Sequence, residues 1–428
     1  MERRSQDMTR TLPDGMTGAI MAVEGIPDAV LFLHGPGGCR VRHMVVSSAV
    51  YPKDFGEGNL YAPYYYGYSQ VPATYLDEYD FINGAYYKSE EGLAAVKERD
   101  PSLIVVLDSP GAGLIGDDHS KAAEENDLSG ITLVLGESLA SEPATVSCGR
   151  TLAKVMDFLD PGEGRTREGT VNLIGLSIMD KDWKAARDEL CGLLEDMGLE
   201  VIACPGAGSS VEDLIRSVDA EHNVVVCPEM CSGLVEWYAS RGVDSIVSDH
   251  GAPVGFDAVE SWIGKVAEVT GHDPTRALEK VGRARGKVYE RFTGMRYNAA
   301  RIRGLTFSAA GTASVVRSLT EWLYSCLAMA PAAVTVDPGA DPHETECLRA
   351  FLESVGFSEA WDREPVDCGV VLCEGVEALT MKLSDRCRIG IPIGYSSMGI
   401  DDVIPRPVYG IQGAFYILDE LLHGVRST

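Results

Sequence analysis

The 428-residue chain reads as an α/β protein: three Rossmann-like αβα domains with mainly parallel sheets around a central cleft. Three observations predict this. Apolar runs of strand length recur along the chain, and they are continuous rather than alternating, as strands covered on both faces are. Amphipathic helical stretches separate them. The passage from strand to helix is repeatedly a loop rich in Gly and Pro. Strands alternating with helices imply parallel sheets joined by right-handed crossovers.

In the first interval, 1–165, the expected strands are "AVLFLHGPGGCR" (29–40), "SLIVVLDSPGAG" (102–113) and "GITLVLGES" (130–138), with helical "GLAAVKERD" between the first two. In the second, 166–300, "TVNLIGLSI" leads to helical "WKAARDELCGLLEDMGL", then "EVIACPGAG", "SVEDLIRSV", "HNVVVCPEM" and "CSGLVEWYASRG". In the third, 301–428, "GLTFSAAG" leads to "ASVVRSLTEWLYSCLAM", then "AAVTVDPG", "ECLRAFLESVG", "CGVVLCEGVEALTMKLSD" and "IGIPIGY". The polar "DPGEGRTREGT" (160–170) reads as the first linker, and the second boundary falls near "RYNAARIRG". Ligands of such sheets bind at the carboxyl ends of the strands, so the loops that follow strands are the places to look.

The composition narrows the function. A formal net charge of −27 argues against non-specific nucleic-acid binding, which needs a basic footprint. No run of 18 apolar residues predicts a membrane span. The opening "MERRSQDMTRTLPDG" has charges but no apolar core, so no secretory leader is expected. A cytoplasmic location follows, and the 11 cysteines are expected as thiols or metal ligands rather than disulfides. Cys191, Cys204, Cys326 and Cys347 fit helix or strand patterns and are expected as small buried hydrophobes.

Three loops carry chemistry. In "HGPGGCR", Gly35, Gly37 and Gly38 allow close backbone approach, His34 precedes them, and Cys39 stands at the tip. Arg40, Arg42 and His43 add positive charge. Thiolate is the ligand of iron–sulfur clusters; the alternative is a tight turn with an incidental thiol. In "DSPGAGLIGDD", Gly111, Gly113 and Gly116 form a literal G-x-G-x-x-G after a strand, with Glu137 some way beyond. A dinucleotide fingerprint would start directly off the strand and lead into a helix. Here Ser109-Pro110 intervenes, and Asp117-Asp118 would repel a phosphate. In "NVVVCPEMC", Cys227 ends a strand, Glu229 follows, and Cys231 lies one helical turn on. C-x3-C alone is not a closed zinc site; two core thiols are the plainer reading. "YAPYYYGYSQ" (61–70) is expected as a packed loop, the alternative being the lining of an apolar pocket or a subunit interface. "GRARGK" (282–287) is too short for a Walker A loop, and no other P-loop, zincin or G-x-S-x-G motif occurs.

Taken together, "HGPGGC" (34–39), "YDFINGAYYKSEEGL" (79–93) and "SPGAGLIGDD" (109–118) resemble the component 1 proteins of nitrogenase and its relatives. These include the molybdenum–iron protein subunits, a cofactor-assembly scaffold, the dark-operative protochlorophyllide reductase and the reductive cyclase of coenzyme F430 synthesis. Their motifs are H-G-P-x-G-C, D-x-x-x-G-G-x-x-K-L and C-P-x-x-x-I-G-D-D. The resemblance continues through "VNLIGL", "NVVVCPEM" and "IPRPVYGIQGAFYILDELL" and covers nearly the whole chain. It makes the G-x-G-x-x-G a by-product of an I-G-D-D loop.

The resemblance implies a dimer with itself or a second component 1-like subunit. It implies a [4Fe–4S] cluster shared at the subunit interface and fed by an ATP-dependent iron–sulfur reductase, which carries the P-loop; no nucleotide is expected on this chain. Cys39 matches the family's cluster cysteine. Ser109 stands where C-P-x-x-x-I-G-D-D has its cysteine, and the N-terminal segment lacks the third. The missing ligands are then oxygen donors such as Ser109 or Asp14, or cysteines of a partner. Cys227 falls close to a cofactor ligand of nitrogenase. With Glu229, His34, Gly37, Gly38, Arg40, Gly113, Asp117 and "GYSSMG" (394–399) it is expected to line the site or cleft for a metallocofactor or tetrapyrrole. The function expected is anaerobic, low-potential reduction. The alternatives are a non-catalytic scaffold or carrier for a metallocluster or tetrapyrrole, and a nucleotide-dependent Rossmann enzyme.

Overall fold

The structure is a computed structural model, and it describes residues 12–39, 71–135, 139, 141–294, 301–395 and 402–426. Its strands form three all-parallel sheets. The first contains β1 (Ala29–His34), β2 (Leu103–Asp108) and β3 (Thr132–Leu135) in that order. The second contains β4 (Arg167–Ile174), β5 (Glu200–Ala203), β6 (Ala220–Val225) and β7 (Asp244–Ile246), ordered β5-β4-β6-β7. The third contains β8 (Thr306–Gly311), β9 (Ala330–Val336), β10 (Cys368–Cys373) and β11 (Cys387–Pro392), ordered β11-β10-β8-β9. The α/β class expected from the alternating pattern is therefore the class observed. β7 has no counterpart among the expected strands. It is a three-residue edge strand, too short to leave a hydrophobic run.

The second and third sheets share one topology. In each, the first strand lies between the second and the third, so the chain reverses direction across the sheet beside that strand. Such a reversal opens a crevice at the carboxyl ends of the two central strands. In the second sheet these are β4 and β6, and Cys227 follows β6 by two residues.

By its internal contacts the chain forms two compact units. One comprises Asp14–Ser248 with Ile263–Ala277 and holds the first two sheets. The other includes Asp249–Trp262 and Leu278–Thr428 and holds the third. In the second unit, Arg317 is buried. It pairs with Glu344 and Glu321, both at 3.0 Å, and donates to the Asp249 carbonyl at 2.6 Å. Cys326 is not the buried hydrophobe its helical pattern suggested. It is exposed, its thiol faces Asp257 at 2.8 Å, and partial desolvation together with that carboxylate pushes its pKa up to about 12.

In the first unit, helix α1 (Gly15–Glu24) packs along the long helix Ala144–Leu159. Small residues allow the approach. A Cβ added to Gly18 would lie 2.1 Å from the Ala144 carbonyl oxygen, and one on Gly15 would lie 2.1 Å from the Leu139 carbonyl oxygen. A carbonyl fixed in a loop or helix start cannot yield as a side-chain end can. Gly282, in the helix Thr275–Gly294, has open space where its Cβ would be. Gly18→Ala is expected to lower unfolding free energy by about 1–3 kcal/mol through overpacking. Gly282→Ala is expected to raise it by about 0.5–1 kcal/mol through backbone entropy. Urea denaturation of both variants checks the contrast.

Candidate functional site

The carboxyl edge of the first sheet brings the three sequence motifs together. β1 and β2 pair in register from Ala29↔Leu103 to His34↔Asp108, so His34 and Asp108 end side by side. The chain then turns away on both strands. On the β1 side, Gly35 passes close to Ser109: a Cβ at Gly35 would lie 2.7 Å from the Ser109 hydroxyl oxygen. The segment after residue 70 returns along β1. There Leu33 N–H donates to the Pro72 carbonyl at 2.8 Å, and Gly35 N–H donates to the Thr74 hydroxyl at 3.0 Å.

From this edge runs a continuous polar chain. Asp117 of the I-G-D-D loop accepts from His34 Nε2 at 3.1 Å and from the Ala85 backbone N–H at 3.0 Å. The Ser89 hydroxyl lies 3.3 Å from His34 Nδ1 and 3.1 Å from His119 Nδ1. His119 Nε2 in turn lies 2.8 Å from Asp108. The two imidazole rings meet edge to face with centroids 4.6 Å apart. His34 and Ser89 have no exposed surface, and His119 is 3% exposed. Burial, and after it the neighbouring His119, lower the pKa of His34, while Asp108 and Asp117 oppose the shift.

The middle motif supplies the brace. Helix α2 (Glu78–Asn83) ends at Gly84, whose φ of +87° favours glycine. That turn aims the Ala85 N–H at Asp117. The following helix α3 (Tyr86–Lys97) carries Ser89. Asp80 is fully buried and is bonded by Lys88 Nζ at 2.5 Å, the Tyr87 hydroxyl at 2.9 Å and the Asp77 N–H at 2.8 Å. Burial alone would raise the Asp80 pKa, but the bonds from Lys88, Asp77 and Tyr87 hold it down at about 2.

The remaining expected residues are placed as follows. Gly113 lies in the short 3-10 turn Ala112–Leu114, and helix α4 (His119–Glu125) begins only after Asp118 caps it by accepting from Lys121 N–H at 3.0 Å. The glycine pattern thus leads into a turn, and both carboxylates of I-G-D-D serve the protein's own hydrogen bonds. Gly37 sits under Tyr75, Gly38 is exposed, and Cys39 is half-buried. The Ser109 hydroxyl is buried and finds no hydrogen-bond partner among the described residues. Asp14 caps α1, accepting from Thr17 N–H at 2.9 Å and the Thr17 hydroxyl at 2.7 Å. Arg40, Arg42, His43, the tyrosine run 61–70, Glu137 and residues 396–399 of "GYSSMG" lie outside the described residues.

Cys227 is not at this edge. It sits at the reversal of the second sheet, 1% exposed, with its thiol 3.1 Å from buried Glu229. Cys231 donates to the Cys227 carbonyl at 3.4 Å, and burial raises its pKa. Gly175, with φ +85°, passes directly against the Cys227 backbone. A separate groove of about 580 Å³ in the other unit is lined by Lys287, Arg291 and residues of the closing "IPRPVYGIQGAFYILDELL" stretch, among them Arg406 and Phe415, and contains no residue of the three motifs at the first sheet's edge.

A family model described as "Nitrogenase component 1 type Oxidoreductase" matches residues 15–364. The chain belongs to the nitrogenase component 1-type oxidoreductase family. It is similar to one subunit of the light-independent protochlorophyllide reductase of Halorhodospira halophila, 26% identical over 43% of this chain and 36% of that protein. It is also similar to the corresponding subunit from a Synechococcus strain, 24% identical over 60% of this chain and 48% of that one. The matches thus span less than half of these relatives' length. Among solved structures, "Nitrogenase Cp1 at pH 6.5" has the same fold, with a TM-score of 0.75 at 14% identity over 100% of this chain and 95% of that one. No helix among the described residues of this component 1-type chain is long and apolar enough to cross a membrane.

The motif spacing singles out neither Ser89 nor the partnership of Asp108 with His119. Ser89 occupies the leucine position of D-x-x-x-G-G-x-x-K-L, and a polar residue there was the available signal. The depressed pKa of Asp80 has a defined consequence. Its stabilisation is complete above the ordinary carboxyl pKa of about 4 and is lost as pH falls from there through about 2. Asp80→Asn should therefore melt below wild type at neutral pH. The gap should narrow between pH 4 and pH 2, as thermal unfolding across that range would measure.

Proposed function

We propose that this chain is a subunit of a component 1-type reductase that takes low-potential electrons from an ATP-dependent iron–sulfur partner and reduces a conjugated substrate of the tetrapyrrole kind. The observation that carries this reading is the convergence of all three family motifs on one sheet edge, with Cys39 on the loop after β1 and Ser109 on the loop after β2. The protochlorophyllide reductase activity of the relatives supports the substrate class.

The donor set limits how a cluster would be held. A four-iron cluster takes four ligands, and iron–sulfur clusters select thiolate. Among the described residues, Cys39 belongs to no group of three convergent donor atoms. Asp14 is engaged as a helix cap, and Ser109 offers a neutral hydroxyl where the family has a cysteine. The described residues of this chain by themselves do not fit a complete cluster site. Among the described residues Cys39 is the one cysteine at this edge, and the other donors belong to a second chain across an interface. When bound, such a cluster supplies one-electron transfer. The contribution of this chain is the ligand and the buried polar edge behind it.

A carrier that holds a metallocluster or tetrapyrrole without turnover is the second reading, favoured by the single thiol. The two readings separate when the reductase partner is added: turnover of a tetrapyrrole supports the first, and binding without turnover the second.

The test is anaerobic iron and acid-labile sulfide content, with EPR after dithionite reduction, on wild type and Cys39→Ala, alone and with any co-encoded partner. About four irons per dimer, lost in Cys39→Ala, is the expected result. Iron absent from both preparations removes the cluster and with it the reductase assignment.

A further inference from the structure

The buried chain Asp117–His34–Ser89–His119–Asp108 poses a counting problem. Four hydrogen bonds are drawn by its distances, at 3.1, 3.3, 3.1 and 2.8 Å. Each Nε2 faces a carboxylate, so each Nε2 carries a hydrogen. A neutral imidazole then presents a bare lone pair at Nδ1. Both Nδ1 atoms converge on the one hydroxyl of Ser89, which has a single hydrogen to give. With both histidines neutral, one Nδ1 lone pair points at the lone pairs of Ser89 Oγ, and one of the four bonds fails. An unmade bond inside a buried network leaves polar groups stripped of water with nothing in return.

One added proton resolves the conflict. If one imidazole is doubly protonated, its Nδ1–H donates to Ser89 Oγ, the Ser89 hydroxyl donates to the other Nδ1, and all four bonds form. Two added protons would leave the Ser89 hydrogen without an acceptor in this network and would set two cations with ring centroids 4.6 Å apart.

We propose that this network holds one proton beyond the two neutral imidazoles at neutral pH, and that Ser89 passes that proton between His119 and His34. The transfer balances within the chain. His119 Nδ1 gives its proton to Ser89 Oγ as the Ser89 hydroxyl proton moves to His34 Nδ1. The hydroxyl is re-formed with its opposite orientation, and a rotation about the Cβ–Oγ bond resets it. The charged and titratable groups facing the pair are Asp108 at the end of β2 and Asp117 in the loop before α4, with Ser89 on α3 between the rings. The nearby Lys88 is committed to Asp80. The carboxylate beside His119 is the closer of the two, at 2.8 Å against 3.1 Å for the one beside His34. The resting proton therefore lies on the His119 side, next to Asp108. The Asp108 side chain is 20% exposed, against 7% for Asp117, so Asp108 is the wetter end and the route by which the proton enters.

The extra proton belongs to the polypeptide itself and is held whether or not the proposed cluster is bound. A divalent cation is the rival occupant, because His34, Asp108 and His119 each place one ligand atom within 4.8 Å of the others.

The experiment is long-range 1H–15N correlation on protein labelled with 15N-histidine, from pH 5 to pH 9. Signals are assigned with His34→Gln and His119→Gln, and metal content is measured on the same samples. Wild type at pH 7 should show one imidazolium and one neutral Nε2–H imidazole from the pair. Ser89→Ala removes the bridge without a bulky change and should lower the pH at which the pair loses its extra proton by about one unit or more. Ser89→Thr, which restores a hydroxyl, should return it toward wild type. Two neutral imidazoles at pH 7 overturn the proposal. So does a titration unmoved by Ser89→Ala, or a stoichiometric metal lost in His119→Gln. If a glutamine variant fails to fold, the disappearance of the pair's midpoint from its wild-type position in Ser89→Ala carries the decision.

Discussion

Everything at the candidate site depends on one constraint: polar side chains at the carboxyl ends of two buried parallel strands must find partners away from water. The register of β1 with β2 sets His34 beside Asp108. Neither can turn into the apolar layers on the sheet's faces, where Phe32, Leu93 and Val106 pack. Their partners come from loops and helices instead, Asp117 from the I-G-D-D turn and Ser89 from α3. An unpaired buried polar group costs about 1–3 kcal/mol, so the surrounding segments are held to the positions that satisfy this edge. The three motifs are close in space because they complete one hydrogen-bond network.

The glycines serve the same constraint. Gly35 must be bare for the backbone to pass Ser109, and Gly84 must take positive φ to aim the Ala85 N–H at Asp117. The Asp80–Lys88 pair then ties α2 to α3 beneath. A rigid, desolvated polar layer results directly behind the loop that carries Cys39. Such a layer suits a site at which charge changes, because its dipoles are already oriented. The second sheet offers a different environment. Its reversal holds Cys227, Cys231 and Glu229, all buried, with the Cys227 thiol on Glu229 and the Cys231 thiol on the Cys227 carbonyl.

Much of the fold was legible in the sequence, because continuous apolar runs bounded by Gly/Pro loops have few other readings. The strands at 29–34, 103–108, 220–225 and 368–373 lie where those runs stand. The expected intervals 1–165, 166–300 and 301–428 each contain one sheet, while contacts gather the first two sheets into a single compact unit. Periodicity reports which residues are buried and says nothing of what they are buried against.

For the site, the sequence by itself pointed to the family and to the loops that matter, and it puts Ser109 where the family motif has a cysteine. These follow from residue identity and order alone. Only the tertiary structure decided that Asp14 is a helix cap, that Cys227 is enclosed, and that Ser89 stands between two imidazoles from segments 85 residues apart in chain numbering, His34 and His119. The physical reason is that a hydrogen bond is a relation of distance and direction between atoms. Strand register and helix packing set that relation, and no spacing along the chain encodes it.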